Sequence, residues 1–312
     1  MTQTLTEAAA GESLRRSRVR WGERTIEGGL LLAALVSVAT TVGIVIALFV
    51  PAIALFEFVP FTDFITGTEW APLFEPPSYG VVPLVTATLL ISLMAMLIAT
   101  PIGLASAMYL SEYARPRARK TLKPILEVLA GIPTVVFGFF ALEFVTPILR
   151  NVLPFGGDLP EIFNALSAAL VMGIMIVPTV ASLAEDAMSA VPNALRQGAH
   201  ALGATKRQVT INVVFPAALS GIVAALVLGI SRAVGETMIV AIAAGNRPNL
   251  SWNPLEGMQT MTGYIAQAGS GDVPVGTVDY DTIFAVGALL FLATLVMNLV
   301  SIRLVRRYRQ VY

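Results

Sequence analysis

Residues 197–216, QGAHALGATKRQVTINVVFP, form a polar interruption between two long apolar runs, with small residues at regular places. Ala199, Ala201 and Leu202 favour helix, and Gly203 suits the left-handed residue that closes a helix C-terminus. Pro216 lacks the N–H that a helix interior uses, so the next apolar helix is expected to start near Phe215. The segment reads as two short helices joined by a tight turn, a shape able to plug a groove on another molecule. The competing reading is an ordinary connecting loop. His200, the single histidine of the chain, is expected on the surface of this segment.

On either side the sequence is that of an integral membrane protein. The chain is 56% hydrophobic and 13% charged, with a mean hydropathy of +0.77; an average soluble domain carries about 25% charged residues. Crossing a hydrocarbon core takes about 20 mostly apolar helical residues. Six stretches qualify or nearly so: 26–56, 81–110, 122–149, 162–183, 213–244 and 283–304. Several exceed the minimum, which predicts tilted or broken helices, and Gly131 and Pro133 are candidate break points in the third. The first stretch is too long for a signal-peptide core and is read as a retained, peripheral helix.

Lys and Arg are retained on the cytoplasmic side of short loops. Arg15, Arg16, Arg18, Arg20 and Arg24 precede the first stretch; Arg115, Arg117, Arg119, Lys120 and Lys123 follow the second. Arg196, Lys206 and Arg207 lie in the polar interruption, and Arg303, Arg306, Arg307 and Arg309 near the C-terminus, whereas the opposite loops hold Arg150 and Arg247. One topology accommodates all of them, with six spans and both termini cytoplasmic. The expected organisation is a basic tail over 1–25, an all-α six-helix domain over 26–312 and a cytoplasmic loop over about 186–212. The loops 57–80 and 245–280, rich in Pro and Gly, face outward as ordinary connections or as a surface for an external partner. Trp70 and Trp252 within them fit an interfacial aromatic belt. The absence of cysteine excludes disulfides and thiolate metal sites, and one histidine cannot build a histidine site.

The fifth run contains SRAVGETMIVAIAAG, which places Arg232 and Glu236 four residues apart, on one face of a continuous helix. An ionised group at the bilayer centre costs roughly 2.5 to 3.5 kcal/mol on insertion scales, so both are expected to point into the bundle or a water-filled path. Arg suits an oxyanion because its planar guanidinium presents several donors and stays protonated. An anion pathway is one reading, with Ser231 and Thr237 as polar neighbours and Gly235 permitting close approach. The other is a mutually neutralising pair that ties the helix to a neighbour. Glu127 and Glu143 have no assigned role.

The polar interruption resembles the cytoplasmic EAA loop of ABC importer permeases, which opens on Glu-Ala-Ala and closes on Ile-x-Leu-Pro. Gly203, Val213, Phe215 and Pro216 fall in register, while Gln197 replaces the usual Glu and Gly198 the first Ala. RAVGETM after the loop, GIPTVVFGFFAL over 131–142 and SLAEDAMSAVP over 182–192 are similar to the permease pair of the phosphate-specific importer, and the long basic-led first helix most resembles its C subunit. The resemblance spans a core of about 81–304. It implies a type I importer (MetI-like) architecture and a chain that pairs with a homologous permease in a bacterial or archaeal inner membrane. It further implies two copies of a cytoplasmic ATPase that bind ATP and Mg, an external phosphate-binding protein, and no cofactor or nucleic acid on this chain. Gln197, Gly198, Ala199, Gly203, Ala204, Phe215 and Pro216 would then couple to the ATPase, and Arg232, Glu236, Ser231 and Thr237 would lie along the path of inorganic phosphate. No G-x-x-x-x-G-K-[ST] motif occurs, so nucleotide chemistry would belong to the partner. Permeases for molybdate or sulfate are the alternative within this class. An ion-coupled secondary transporter and a membrane enzyme using Glu236 are alternatives outside it.

Overall fold

The computed structural model describes residues 21–152 and 159–308. Arg15, Arg16, Arg18 and Arg20 of the N-terminal tail, and Arg309 of the C-terminal tail, lie outside them. The chain divides after Leu48 into two units. The first consists, among the described residues, of most of α1 (Trp21–Leu55), whose 35 residues extend about 50 Å at 1.5 Å per residue. Its exposed Leu30, Leu31, Leu35 and Ile44 suit a helix bathed in lipid.

The second unit begins with the end of α1 and an extramembrane lobe. Short α2 (Phe61–Thr66) leads into the antiparallel hairpin β1 (Trp70–Ala71) and β2 (Ser78–Tyr79), paired Trp70 with Tyr79 and Ala71 with Ser78. Gly67 and Gly80 cross so closely that a Cβ on Gly80 would lie 2.2 Å from the Gly67 backbone, so neither position admits a side chain. Trp70 is buried in edge-to-face contacts with Phe64 and Tyr264. It packs the lobe rather than standing in an interfacial belt, a correction to the sequence expectation; Trp252 is exposed.

The core is the pair α3 (Val82–Met108, continued by a π-helical turn over Tyr109–Tyr113) and α6 (Ala165–Ser189). Small residues let the two backbones approach: Ala95 and Ala99 on α3, Ala168, Ala169 and Gly173 on α6, all buried. A Cβ on Gly173 would lie 3.0 Å from the Ala95 carbonyl oxygen. Inside a bilayer, close approach of this kind replaces the hydrophobic drive as the source of helix association. Asn164 caps α6 by accepting from Ser167 N. The carbonyls of Glu256 and Pro254 accept from Ala165 and Leu166, so the 245–260 loop is tied to the start of this helix.

The third apolar run is not one helix. It breaks at Gly131–Pro133 into α4 (Pro116–Ala130), which buries none of its residues, and α5 (Thr134–Val152), long and apolar enough to cross a membrane. The fifth run breaks as well. α7 (Asn193–Ala201) leads to α8 (Lys206–Ala217), which bends by 71° into α9 (Leu219–Val234); together they complete the sixth candidate span. α8 is the second short helix of the polar loop; the bend falls at Ala218, after Pro216, and the next apolar helix, α9, starts at Leu219, four residues past the expected Phe215. Beyond α9 the chain is non-helical at Glu236 and Thr237 before resuming through Val240–Ala244. α10 (Met261–Gln267) and α11 (Val278–Tyr308) complete the unit. The all-α membrane fold expected from the sequence stands, with two of its expected runs broken.

Candidate functional site

α9 ends because Gly235 takes the C-cap position, with its N–H on Ser231 O. Arg232 lies in the last turn of α9, where a cation meets the negative end of the helix dipole, and its Nη1 donates to Thr179 Oγ1 of α6 at 2.9 Å. Glu236 lies beyond the helix end and is buried. Its Oε1 accepts from Met238 N at 3.1 Å and Ile239 N at 3.3 Å, capping the helical stretch that resumes there. Its main-chain carbonyl accepts from Thr262 Oγ1 of α10 at 2.6 Å. Hence the polar groups freed by the break have partners inside the protein, as a non-helical segment at membrane depth requires.

Arg232 and Glu236 form no ion pair among the described residues, and this corrects the expectation of one shared helical face. Four-residue spacing brings side chains together only on a continuous helix, and Gly235 ends that helix between them. Ser231 donates to Asn298 Oδ1 of α11 at 3.4 Å, and Thr237 to the Gly235 carbonyl at 3.4 Å. The fold thus joins Arg232 to Thr179 and Glu236 to Thr262, and does not gather the four named residues at one point. Thr179 and Thr262 escape a sequence reading because threonine in an apolar run commonly bonds its own helix.

The polar interruption folds as two helices about a tight turn. Gly203 has φ +83°. Gly203 N donates to His200 O at 2.9 Å and Ala204 N to Ala199 O at 3.1 Å, which is the Schellman closure, and His200 is exposed. Thr205 and Gln208 make a capping box that starts α8, a T-x-x-Q signature legible in the sequence. Ala199, Ala204 and Phe215 pack against the buried cluster that contains Val209, Val214 and Met188. Gln197, Gly198 and Pro216 are exposed, and Leu202 at the turn is 91% exposed.

Charged contacts fix this segment to the bundle. Arg196 donates from Nε and Nη2 to Glu112 Oε1 at 3.1 and 3.0 Å, from Nη2 to the Met188 carbonyl at 2.7 Å, and from Nη1 to the Val191 carbonyl. It therefore joins α7 to the end of α3 and satisfies carbonyls at the end of α6. Glu185 of α6, wholly buried, accepts from Arg119, from Lys123 Nζ at 2.7 Å and from Ser189 Oγ at 2.7 Å. Hydrogen bonds to Asp186 and then Glu185 push the Lys123 ammonium above its ordinary value. In the sequence Arg119, Lys123 and Arg196 mark topology alone, because their partners Glu185 and Glu112 lie more than 60 residues away. Glu127 lines a hollow with Arg119 and Lys123, and Glu143 a second with Arg150.

The sequence family described as binding-protein-dependent transport system inner membrane component matches residues 99–310. The chain is 33% identical over 302 residues, 96% of this chain and 95% of the relative, to a probable ABC transporter permease protein YqgH of Bacillus subtilis. It is 33% identical to the phosphate transport system permease protein PstC of Xylella fastidiosa, covering 78% of this chain and 80% of the relative. The fold is similar to that in the crystal structure of a bacterial ABC transporter involved in import of the acidic polysaccharide alginate, with a TM-score of 0.63 at 19% identity over 92% of this chain and 99% of that one. It is also similar to that in the inward-facing MetNI methionine ABC transporter, with a TM-score of 0.55 at 19% identity over 74% and 95% of the two chains. A transmembrane bundle with a two-helix polar loop, matched along most of its length, identifies this chain as a member of the binding-protein-dependent transport system inner membrane component family.

Proposed function

We propose that this chain is one permease subunit of an ATP-driven importer that carries inorganic phosphate across the inner membrane. One observation carries the substrate assignment within the family. Arg232 stands beside a break in a membrane helix with a threonine hydroxyl, and no carboxylate within ion-pair distance among the described residues. Its positive charge is available to an oxyanion, and phosphate transport permeases at about a third identity along most of the chain support phosphate as that anion. The distribution of basic residues supports a topology with both termini, α4 and the α7–α8 loop on the cytoplasmic side. A second, homologous permease completes the pathway. Two copies of a cytoplasmic ATPase, which hold ATP and Mg, dock on the α7–α8 turn, and an external phosphate-binding protein delivers the substrate. The chain's own part is to bind and pass the anion by alternating access: Arg232 compensates phosphate charge, and Glu236 and Thr262 hold the helix break open beside it.

The test is phosphate uptake by the assembled complex carrying Arg232→Gln. Uptake is expected to fall by at least an order of magnitude, with the subunits still co-purifying. Unchanged uptake sinks the role of Arg232. ATP hydrolysis stimulated by a sulfate- or molybdate-loaded binding protein, but not by a phosphate-loaded one, sinks the substrate.

A further inference from the structure

The end of α3 and the start of α4 make a V in which two hollows meet at Leu110. One, about 340 Å³, lies between Ala105, Ser106 and Tyr109 of α3 and Leu122, Ile125 and Leu126 of α4. The other, about 470 Å³, is lined by Ser111 in the last turn of α3, by Ala114 just past it, and by Arg119, Lys120, Lys123 and Glu127 of α4. The order along α3 sets their depth. Ala105 and Ser106 belong to the last turns of an apolar span, whereas Ser111 and Ala114 lead into the basic run that begins at Arg115. The apolar slot is therefore on the hydrocarbon side and the basic pocket at the level of the headgroups.

α4 has the composition of a helix lying in that plane. It buries none of its residues and leaves Leu122, Ile125, Val128 and Leu129 exposed, while Arg115, Arg117, Arg119, Lys120 and Lys123 crowd its first half. Such a basic cluster directly after a membrane span attracts anionic lipid, and an amphipathic helix of this kind beds its apolar face at the acyl boundary. Not all of this charge is in use. Arg119 and Lys123 are engaged by Glu185, and Lys123 also by Asp186; Lys120, on the same pocket, has no ion pair or hydrogen bond among the described residues.

We propose that this V is a binding site for an anionic phospholipid, with one acyl chain in the slot between α3 and α4 and the headgroup phosphate against Lys120. One amphiphile satisfies both hollows at once, because its apolar and anionic parts are separated along the membrane normal in the same order. The lipid fills the gap beside the Glu185 contacts and so supports the packing of α4 on α6.

Native mass spectrometry of the whole detergent-extracted complex tests this with phosphatidylglycerol and phosphatidylcholine of identical acyl chains. Retention of phosphatidylglycerol is expected to exceed that of phosphatidylcholine. Lys120→Gln should lower phosphatidylglycerol retention about fivefold, the worth of one basic residue at a lipid surface. Ala105→Trp, which fills the slot without changing charge, should lower retention of both lipids. Equal retention of the two lipids by the unmodified complex overturns the proposal without recourse to any variant, and so does undiminished retention by Lys120→Gln. Displacement of phosphatidylglycerol by millimolar inorganic phosphate would instead assign the pocket to the free anion. Photocrosslinking from position 125 to another polypeptide rather than to lipid would assign the slot to a subunit interface.

Discussion

At the scale of single residues, what separates the two readings of Arg232 and Glu236 is the use each charge already has. The carboxylate of Glu236 is committed to two main-chain N–H groups, an interaction a carboxamide oxygen can also make. An ion-paired glutamate would not tolerate the loss of charge. Glu236→Gln is therefore expected to keep most phosphate uptake, whereas Glu236→Ala removes the cap and costs about 0.5–2 kcal/mol of local stability, read as lowered uptake and thermal stability of the complex. Equal damage by Gln and Ala would restore a charge role. Among the described residues Arg232 holds only the Thr179 hydroxyl, so Thr179→Val should leave a charged but less well placed guanidinium. The expected signature is a KM for phosphate raised several-fold with the maximal rate nearly kept. Both charges were legible in the sequence because an apolar run makes them conspicuous. Their separation was not, since it depends on Gly235 ending a helix, and glycine in a membrane helix equally serves close packing.

Among the elements, the α7–α8 turn was the most legible, because its geometry is local: one glycine at positive φ and two closing hydrogen bonds depend on nearby residues alone. A left-handed conformation costs an L residue about 1–2 kcal/mol, so Gly203→Val should distort the turn and weaken ATPase coupling, measured as loss of binding-protein-stimulated hydrolysis. Leu202→Asp should weaken ATPase co-purification without lowering thermal stability, because that side chain is 91% exposed. The opposite result would make Leu202 a packing residue. The break at Gly131–Pro133 was legible from those two residues, whereas the one at Ala218 was only partly so: Pro216 sits inside α8 and the bend follows it. The extramembrane lobe was not legible at all, since Trp70, Phe64 and Tyr264 come from separate segments. Tyr264 carries a chemical signature of that packing, its phenol pushed up to about 12 by burial. A raised folded value means stability present below about pH 10 and lost as pH rises toward 12. Trp70 fluorescence should report alkaline loosening in that window, and Tyr264→Phe should abolish the Tyr264 contribution to it.

For the molecule as a whole, the number of crossings turns on one element, and the bonds of Ala165 and Leu166 to the Glu256 and Pro254 carbonyls put the loop after that element at the start of α6, the end away from Leu202. Among the described residues, five helices are long and apolar enough to span by themselves, and a sixth crossing needs α8 and α9, bent by 71°, to count together. The six apolar stretches of the sequence include the 213–244 run, and the length of such runs predicts broken helices without locating this bend. Side of exposure decides the matter, because an added crossing reverses everything after it. Leu202 lies before the bent pair and Trp252 after it, and they are 91% and 71% exposed. The native chain has no cysteine, so single replacements there report without background. Leu202→Cys should be labelled by a membrane-impermeant maleimide from the cytoplasmic side alone, and Trp252→Cys from the opposite side alone. If both react from one side, α8 and α9 form a re-entrant hairpin, the count drops to five and the termini lie on opposite faces. Arg24→Cys and Arg306→Cys then provide an independent check, since six crossings place them together and five place them apart. Opposite labelling at 202 and 252 with matching labelling at 24 and 306 would put α4, the α7–α8 turn and both chain ends on one face, as docking of a cytoplasmic ATPase requires.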